Sequence, residues 1–170
     1  DNVTAGDPLH WTGPNLNWNY MCADCHSTNL KKNYDVETKT YHTTWDSINV
    51  SCEACHGPAS QHILWSKNQE LNVTNKGLPL SLKRKQKVWD TNTTTLKSFL
   101  TDNEIDVCAK CHSRRSQLDD GYTPGDAFHE HYLPVTLEEN LYFSDGKIQD
   151  EVYVYDSFLQ SKMYAKGVTC

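Results

Sequence analysis

The chain has 170 residues, of which 37% are hydrophobic, and it carries a formal net charge of −6. The length predicts one domain, but the hydrophobic fraction is lower than a domain of this size normally needs for its core. No apolar run approaches the ~18 residues of a membrane-spanning helix, and the acidic balance argues weakly against a nucleic-acid partner.

Regular secondary structure is expected to be sparse. Residues 1–50 alternate aromatic and polar side chains and predict short helical turns joined by irregular segments. Residues 119–146 favour loop, and 151–155 alternate as a short strand would. Helices are expected at 60–70, 81–100, 137–142 and 157–165. The predicted fold class is therefore mainly α with much irregular loop and a short β element near 151–155.

Cysteine spacing is the most informative pattern. Six of the seven cysteines form pairs separated by two residues, and a histidine follows each pair directly. The pairs are Cys22 with Cys25, Cys52 with Cys55, and Cys108 with Cys111, and the histidines are His26, His56 and His112. This CxxCH pattern is typical of covalent haem attachment, in which two thioethers hold the macrocycle and the histidine ligates the iron.

Two other interpretations of paired cysteines fit less well. Structural zinc sites take four ligands, so three pairs do not divide evenly among them, and zinc does not require a histidine after each pair. A thioredoxin-like redox motif would lie in a βαβ pattern, which the sequence lacks. The pattern thus predicts a multihaem cytochrome c fold built around a covalent haem core. Because haem contributes large apolar surfaces, it also accounts for the low hydrophobic fraction.

Histidine is abundant enough to ligate each iron on both sides. Five histidines remain after the three of the motifs: His10, His42, His62, His129 and His131. His62 follows His56 by only six residues, which favours ligation of a neighbouring haem. His129 and His131 offer two candidates for one position. The two methionines, Met21 and Met163, are expected to be packing residues.

Segments spread over nearly the whole chain resemble a known cytochrome region. The resembling segments are 7–13, 17–30, 49–58, 150–155 and 157–164. They resemble the multihaem region of bacterial proteins that join it to tetratricopeptide repeats. That region is similar to the tetrahaem cytochrome c-554 class, which carries electrons in nitrogen metabolism.

The resemblance implies a ligand set and a longer protein. It implies His10, His62 and His131 as sixth ligands, and it offers no counterpart for His42. It also implies that Cys170 begins a fourth CxxCH motif. The chain is therefore expected to be a single multihaem domain over 1–170 and a fragment of a longer chain. An earlier haem motif and a C-terminal repeat domain are expected beyond it.

Electron transfer between closely spaced haems is the leading functional hypothesis, because bis-histidine ligation leaves no open iron position. One alternative is a subunit of an extracellular cytochrome filament, assembled by a histidine that ligates a haem of the next subunit. Another is an enzyme of nitrogen- or sulfur-oxide chemistry with one five-coordinate haem. In that enzyme His42, His129, Arg114 and Arg115 are the candidate acid–base groups.

Partners and location follow from the haem hypothesis. Redox partner proteins are expected, and a basic run of Lys76, Lys83, Arg84, Lys85 and Lys87 is one candidate docking surface. No nucleic acid and no membrane span are expected. Because haem c is attached outside the cytoplasm, a periplasmic or extracellular location is predicted.

Overall fold

The computed structural model describes residues 2–13, 16–82, 88–90, 95–97, 103–166 and 168–169, with the backbone alone at 88–90 and 95–97. Its contacts divide the chain into two compact units, residues 1–55 and 56–170. The single domain expected over 1–170 stays a prediction. None of the described helices is long and apolar enough to cross a membrane.

Helix occurs in short pieces, numbered here in chain order, and three of them carry the cysteine motifs. The seven helices described are α1 (Ala23–His26), α2 (Cys52–His56), α3 (Ser60–Lys67), α4 (Asn103–His112), α5 (Phe128–His131), α6 (Tyr155–Leu159) and α7 (Lys162–Ala165). A π-helical turn, Trp18–Cys22, leads into α1. The helical turn predicted at each motif is therefore confirmed, and the helix predicted at 60–70 is confirmed over Ser60–Lys67.

The described strands form three separate antiparallel pairs. They are β1 (Tyr34–Asp35) with β2 (Thr40–Tyr41), β3 (Val88–Asp90) with β4 (Thr95–Lys97), and β5 (Arg115–Gln117) with β6 (Tyr132–Pro134). In the third pair Gln117 lies opposite Tyr132, and the Leu118 N–H donates to the His131 carbonyl at 2.8 Å. This pairing places the residues that follow the third motif beside the end of α5.

Three predicted elements differ from the structure. The helix expected at 81–100 is wrong where the backbone is described, because β3 and β4 lie there. The helix expected at 137–142 is also wrong, since Asn140 has a left-handed backbone with φ 70°. At 151–155 there is only an isolated bridge between Tyr153 and Ser113, because Tyr153, with φ 61°, interrupts the extended backbone.

The last predicted helix, 157–165, is divided into α6 and α7. Ser161 adopts an extended conformation between them, and its hydroxyl accepts a hydrogen bond from the Tyr164 N–H at 3.0 Å. A serine in this role begins a new helix. The chain as described thus combines short helices and short strands with much loop, and the multihaem cytochrome fold itself stays a prediction.

The apolar core of residues 56–170 joins α4, α5 and α6. Its buried members are Ile105, Ala109, Tyr122, Phe128, Tyr132 and Tyr155. Phe128 is fully buried, and its ring stacks on that of Tyr132 with centroids 5.4 Å apart. Because Ala109 belongs to the third motif and α5 ends at His131, this core sets the position of that motif relative to His131.

Residues 1–55 have almost no apolar core of their own. Within the described part of this unit, Ala23 is the only buried apolar side chain, whereas Leu9, Trp11 and Val36 are 69%, 73% and 76% exposed. Units of about 60 residues are marginally stable even with an ordinary core. The polypeptide alone therefore gives this unit little hydrophobic stabilisation.

Tyr142 tests how much one buried hydrogen bond contributes to residues 56–170. Its hydroxyl donates to Asp156 Oδ2 at 2.9 Å, and burial first, then this hydrogen bond, raises the pKa of Tyr142 to about 12. Tyr142→Phe should lower the free energy of unfolding by about 1 kcal/mol at pH 7 in denaturant titrations. Because the pKa in the folded state exceeds the ordinary value of 10.0, this contribution is complete below pH 10 and lost as pH rises towards 12.

The matched control is Tyr153→Phe, which removes a hydroxyl from a half-exposed side chain. It should change the free energy of unfolding by less than about 0.5 kcal/mol. Equal effects of the two substitutions, or an unchanged alkaline transition in Tyr142→Phe, would contradict the assignment.

Candidate functional site

The three motifs place their cysteines and histidine on one side of a helical turn. Residues i, i+3 and i+4 of a helix share a face, and these are the positions of the two cysteines and the histidine. Ala23 and Ala109, which lie between the cysteines of the first and third motifs, are 0% exposed. The buried side of these two turns therefore carries alanine, whereas no residue of α2 is buried, and none of the motif cysteines or histidines is buried.

The six motif cysteines are present as thiols in the described residues. None of the six motif cysteines is in a disulfide. Across the described ranges, no three His, Cys, Asp or Glu side chains come together as a metal site. Cys170 lies outside the described residues.

A serine closes the helical turn of the first and third motifs in the same way. Ser27 Oγ donates to the Ala23 carbonyl, and Ser113 Oγ donates to the Ala109 carbonyl at 2.7 Å. Both serines are buried, at 3% and 4% exposure. The bond satisfies a carbonyl in the last turn, where helices lack internal partners. It thereby holds the turn that carries His26 or His112.

Thr28 connects the first motif to the residues that lead into the second. Its Oγ1 donates to the Asn49 carbonyl at 2.7 Å and accepts from the Ser51 N–H at 2.9 Å. Ser51 directly precedes Cys52, and Thr28 follows His26 by two residues. The hydroxyl of Thr28 therefore ties the end of α1 to the beginning of α2.

His56 lines a cavity in residues 56–170. The cavity has a volume of about 650 Å³ and is lined by His56, Asn75, Leu78, Leu80, Ser81, Leu82 and Thr169. This volume lies within the usual range for small-molecule and cofactor sites, about 300–1,000 Å³. His56 Nδ1 is buried without a hydrogen-bond partner among the described residues.

These observations fit covalently attached haem. Each motif presents two thiols and an imidazole on one face, and Ala23 is the only buried apolar side chain among the described residues of 1–55. The cavity beside His56 has three leucines in its lining. The residues that would hold the group are those of the three motifs: Cys22, Cys25, His26, Cys52, Cys55, His56, Cys108, Cys111 and His112.

His62 has the hydrogen bonding expected of a metal ligand. It lies half-buried on α3, and its Nδ1 donates to the Lys76 carbonyl at 2.8 Å. A carbonyl can only accept, so the proton is on Nδ1 and the lone pair is on Nε2. Metal-ligating histidines commonly donate their second nitrogen to a carbonyl or carboxylate in this way.

His131 makes the corresponding contact with a carboxylate. Its Nδ1 lies 2.9 Å from Asp119 Oδ1, and this hydrogen bond holds the pKa of Asp119 below its usual range. Its Nε2 lies 3.5 Å from Asp126 Oδ2, an oxygen that also accepts from the Thr123 N–H and hydroxyl at 2.8 and 2.7 Å. A carboxylate on Nδ1 makes the imidazole a more basic ligand than a carbonyl does.

The other histidines outside the motifs have different surroundings. His10 Nδ1 lies 2.7 Å from Thr12 Oγ1 and 3.3 Å from the Thr12 backbone nitrogen. His42 is exposed, with Nε2 3.4 Å from Thr40 Oγ1. His129 is exposed and makes an edge contact with the Phe128 ring. Their ligand roles stay predictions.

The arginine pair considered for acid–base chemistry is engaged in contacts within the chain. The Arg114 guanidinium donates to the Glu151 carbonyl at 2.8 Å. Arg115 Nε donates to the Lys110 carbonyl at 2.7 Å, and its guanidinium lies 4.2 Å from the centre of the Tyr132 ring. Both contacts brace the surroundings of the third motif, which suits a structural role.

Comparison with known protein families supports haem attachment in the region of the first two motifs. The sequence model of the family described as cytochrome c554 and c-prime matches residues 10–57. The match supports a c-type cytochrome region over residues 10–57. The match supports haem c as the cofactor and electron transfer as the role, and it spans the first two motifs. Searches of curated proteins and of solved structures found no match.

Sequence reasoning missed the groups that orient the candidate ligands. The acceptor for His62 is a backbone carbonyl, which no residue type can signal. Asp119 precedes His131 by twelve residues, a separation that no local pattern spans. Only an acidic residue in a turn-forming Asp-Asp-Gly segment could have drawn attention to it.

Proposed function

We propose that this chain transfers electrons through three covalently attached haems, each ligated by histidine on both faces. Bound haem supplies a one-electron iron couple. The polypeptide would contribute thiols that fix each group, imidazoles for the iron and, at His62, a hydrogen bond that sets the tautomer of the ring. The observation that carries the proposal is the hydrogen bond from His62 Nδ1 to the Lys76 carbonyl. It leaves the Nε2 lone pair available to an iron, and a second histidine on the iron leaves no position open for a substrate.

Short tethers between the motifs support close spacing of the haems. Thr28 ties α1 to α2 in residues 1–55. In residues 56–170, the core around Phe128 joins the third motif to α5, which ends at His131. Within each unit, these contacts hold a motif against the residues next to it, which suits repeated electron transfer better than substrate exchange.

Haem counting and spin state together test the proposal. Mass spectrometry of the mature chain should find one haem for each complete motif, and ferric EPR spectra should contain only low-spin signals. A stable high-spin haem would instead support the enzyme hypothesis with one open iron. A mass without haem would overturn the proposal.

The location and partners belong to the same proposal. Haem attachment outside the cytoplasm supports a periplasmic or extracellular protein that exchanges electrons with other redox proteins. Assembly into a filament by shared ligation stays an alternative, for which a histidine of one copy would have to ligate a haem of the next. Apart from Lys76, the basic run considered for docking lies outside the described residues.

Asp119 should control the potential of one haem. Asp119→Asn replaces the carboxylate on His131 Nδ1 with a neutral amide, which makes the imidazole a weaker donor to ferric iron. A tenfold change in the relative affinity for the two iron states corresponds to about 59 mV for one electron. The midpoint potential of one haem should rise by about this amount in spectroelectrochemical titrations.

The matched control is Asp145→Asn. It removes the same charge from a carboxylate that binds Lys147 at 2.7 Å rather than a histidine, and it should leave the potentials nearly unchanged. An equal shift in both variants would show a general charge effect. Unchanged potentials in Asp119→Asn would remove Asp119 from the ligand environment.

A further inference from the structure

The turn after α3 has an unusual backbone. Asn75, Lys76 and Gly77 are consecutive and all left-handed, with φ of 47°, 57° and 80°. Residues with a Cβ disfavour this conformation, and they adopt it mostly as single residues. Consecutive left-handed residues persist only where the surrounding structure enforces them, and they cluster at functional positions. The turn therefore calls for a specific explanation in terms of its contacts.

Asn75 holds the turn from within. Its side-chain amide donates to the Leu78 carbonyl at 3.1 Å and to the Leu80 carbonyl at 2.9 Å. Because one amide binds both carbonyls, it holds the backbone of residues 78–80 against the turn. Asn75, Leu78 and Leu80 also line the cavity beside His56, so this segment forms part of that cavity.

Gly77 brings the turn against α3. A Cβ added at Gly77 would lie 2.6 Å from the carbonyl carbon and oxygen of Gln61 and 2.8 Å from the His62 nitrogen. No side chain fits there without a shift of the backbone. The absence of a Cβ is what allows the preceding carbonyl, that of Lys76, to reach the imidazole of His62.

The turn contacts His62 and the aromatic residue beside it. The Lys76 carbonyl accepts from His62 Nδ1 at 2.8 Å. The His62 ring stacks on Trp65 with centroids 5.5 Å apart and planes inclined by 21°, and Lys76 Nζ lies 5.3 Å from the centre of the Trp65 ring. Lys76 therefore engages both rings, one through its backbone and the other through its side chain.

We infer that Asn75 and Gly77 are positioning residues that hold His62 with its Nε2 directed to an iron. The inference rests on the proposed function, because it requires His62 to be a haem ligand. Asn75 stabilises the left-handed turn, and Gly77 lets the turn pack closely against α3. The Lys76 carbonyl then sets both the tautomer and the orientation of the His62 imidazole. The same segment lines the cavity at His56, so one turn serves a proximal and a distal histidine.

Carbon monoxide binding to the reduced, haem-loaded chain tests this inference. Carbon monoxide binds ferrous haem only where the sixth ligand is absent or has dissociated. Asn75→Gly keeps the left-handed backbone accessible but removes both hydrogen bonds. Its carbon monoxide association rate at one haem should increase about fivefold to tenfold. Gly77→Ala should have a larger effect, because the added Cβ must displace the turn.

The matched control is Asn72→Ala. Asn72 is an exposed residue of the same loop whose side chain makes no hydrogen bond in the described part of the chain, and its substitution should leave the rate unchanged. EPR spectra of the ferric forms give a second readout. Asn75→Gly should alter the low-spin signal of one haem and leave the others as in the unmodified chain.

His62→Ala separates the two levels of the proposal. If this variant binds carbon monoxide at one haem while Asn75→Gly and Gly77→Ala behave like the unmodified chain, His62 is a ligand and the positioning inference is overturned. If His62→Ala neither binds carbon monoxide nor changes spin state, ligation by His62 is wrong. If Gly77→Ala does not fold, the result for Asn75→Gly decides alone. Equal changes in carbon monoxide binding at every haem of Asn75→Gly would mean a general loss of stability and would overturn the inference.

Discussion

Removing both thiols of the third motif, as Cys108→Ala with Cys111→Ala, is expected to cost the protein one haem. The mass should fall by one covalently bound group, and the haem absorbance by about one third, since one of the three motifs would be gone. The stability of residues 56–170 should fall as well, because the lost haem would no longer hold α4. The buried residues Ile105, Val107 and Ala109 of that helix belong to the interior of this unit. Mass spectrometry and absorbance per chain measure the loss.

The control for this loss is Lys110→Ala. Lys110 lies between the two cysteines, with its Nζ 5.5 Å from the centre of the Tyr122 ring. The substitution changes the same helical turn and keeps both thiols. It should retain the full haem content. A double cysteine variant with an unchanged mass would remove the third motif from the attachment sites.

The second large effect is expected at Phe128. This side chain is fully buried and contacts the rings of Tyr132 and Tyr155. Phe128→Ala should lower the free energy of unfolding by about 3–5 kcal/mol, the usual cost of removing a buried aromatic ring. That is a large share of the stability of a typical domain, about 5–15 kcal/mol. Denaturant titration followed by circular dichroism would measure it.

Phe143→Ala is the matched comparison, because this phenylalanine is 54% exposed. Its substitution should change the free energy of unfolding by no more than about 0.5 kcal/mol. Phe128→Ala should also disturb the haem that His131 is proposed to ligate, since Phe128 belongs to the helix that ends at His131. A stable Phe128→Ala variant with native spectra would show that this core does not hold the site.

The sequence predicted the parts of the site that depend on neighbouring residues. A helical turn at each motif follows from local chemistry, because two thiols three positions apart and a histidine after them share a face only when helical. The helix beginning at Ser60 was likewise predictable. At 137–142 and 151–155 the pattern failed, because Asn140 and Tyr153 adopt left-handed backbones that hydrophobic periodicity does not reveal.

The rest of the site depends on contacts distant in sequence. His62 and His131 were predicted as ligands from the number of histidines in the chain and from the family resemblance. The groups that accept hydrogen bonds from these two rings were not predicted. The Lys76 carbonyl reaches His62 only through a left-handed turn fourteen residues away, and Asp119 reaches His131 through the β5–β6 pairing. Such geometry depends on backbone conformations and tertiary packing that residue identity alone does not specify.

The near-absence of an apolar core in residues 1–55 has a consequence for biogenesis. If haem attaches as proposed, a segment that gains little by collapsing alone would keep its thiols at Cys22 and Cys25 accessible to the attachment reaction. The free energy of attachment would then contribute to the folding of this unit, as ligand binding does wherever it is coupled to folding. A chain without haem would keep Trp11, which is 73% exposed, in contact with solvent.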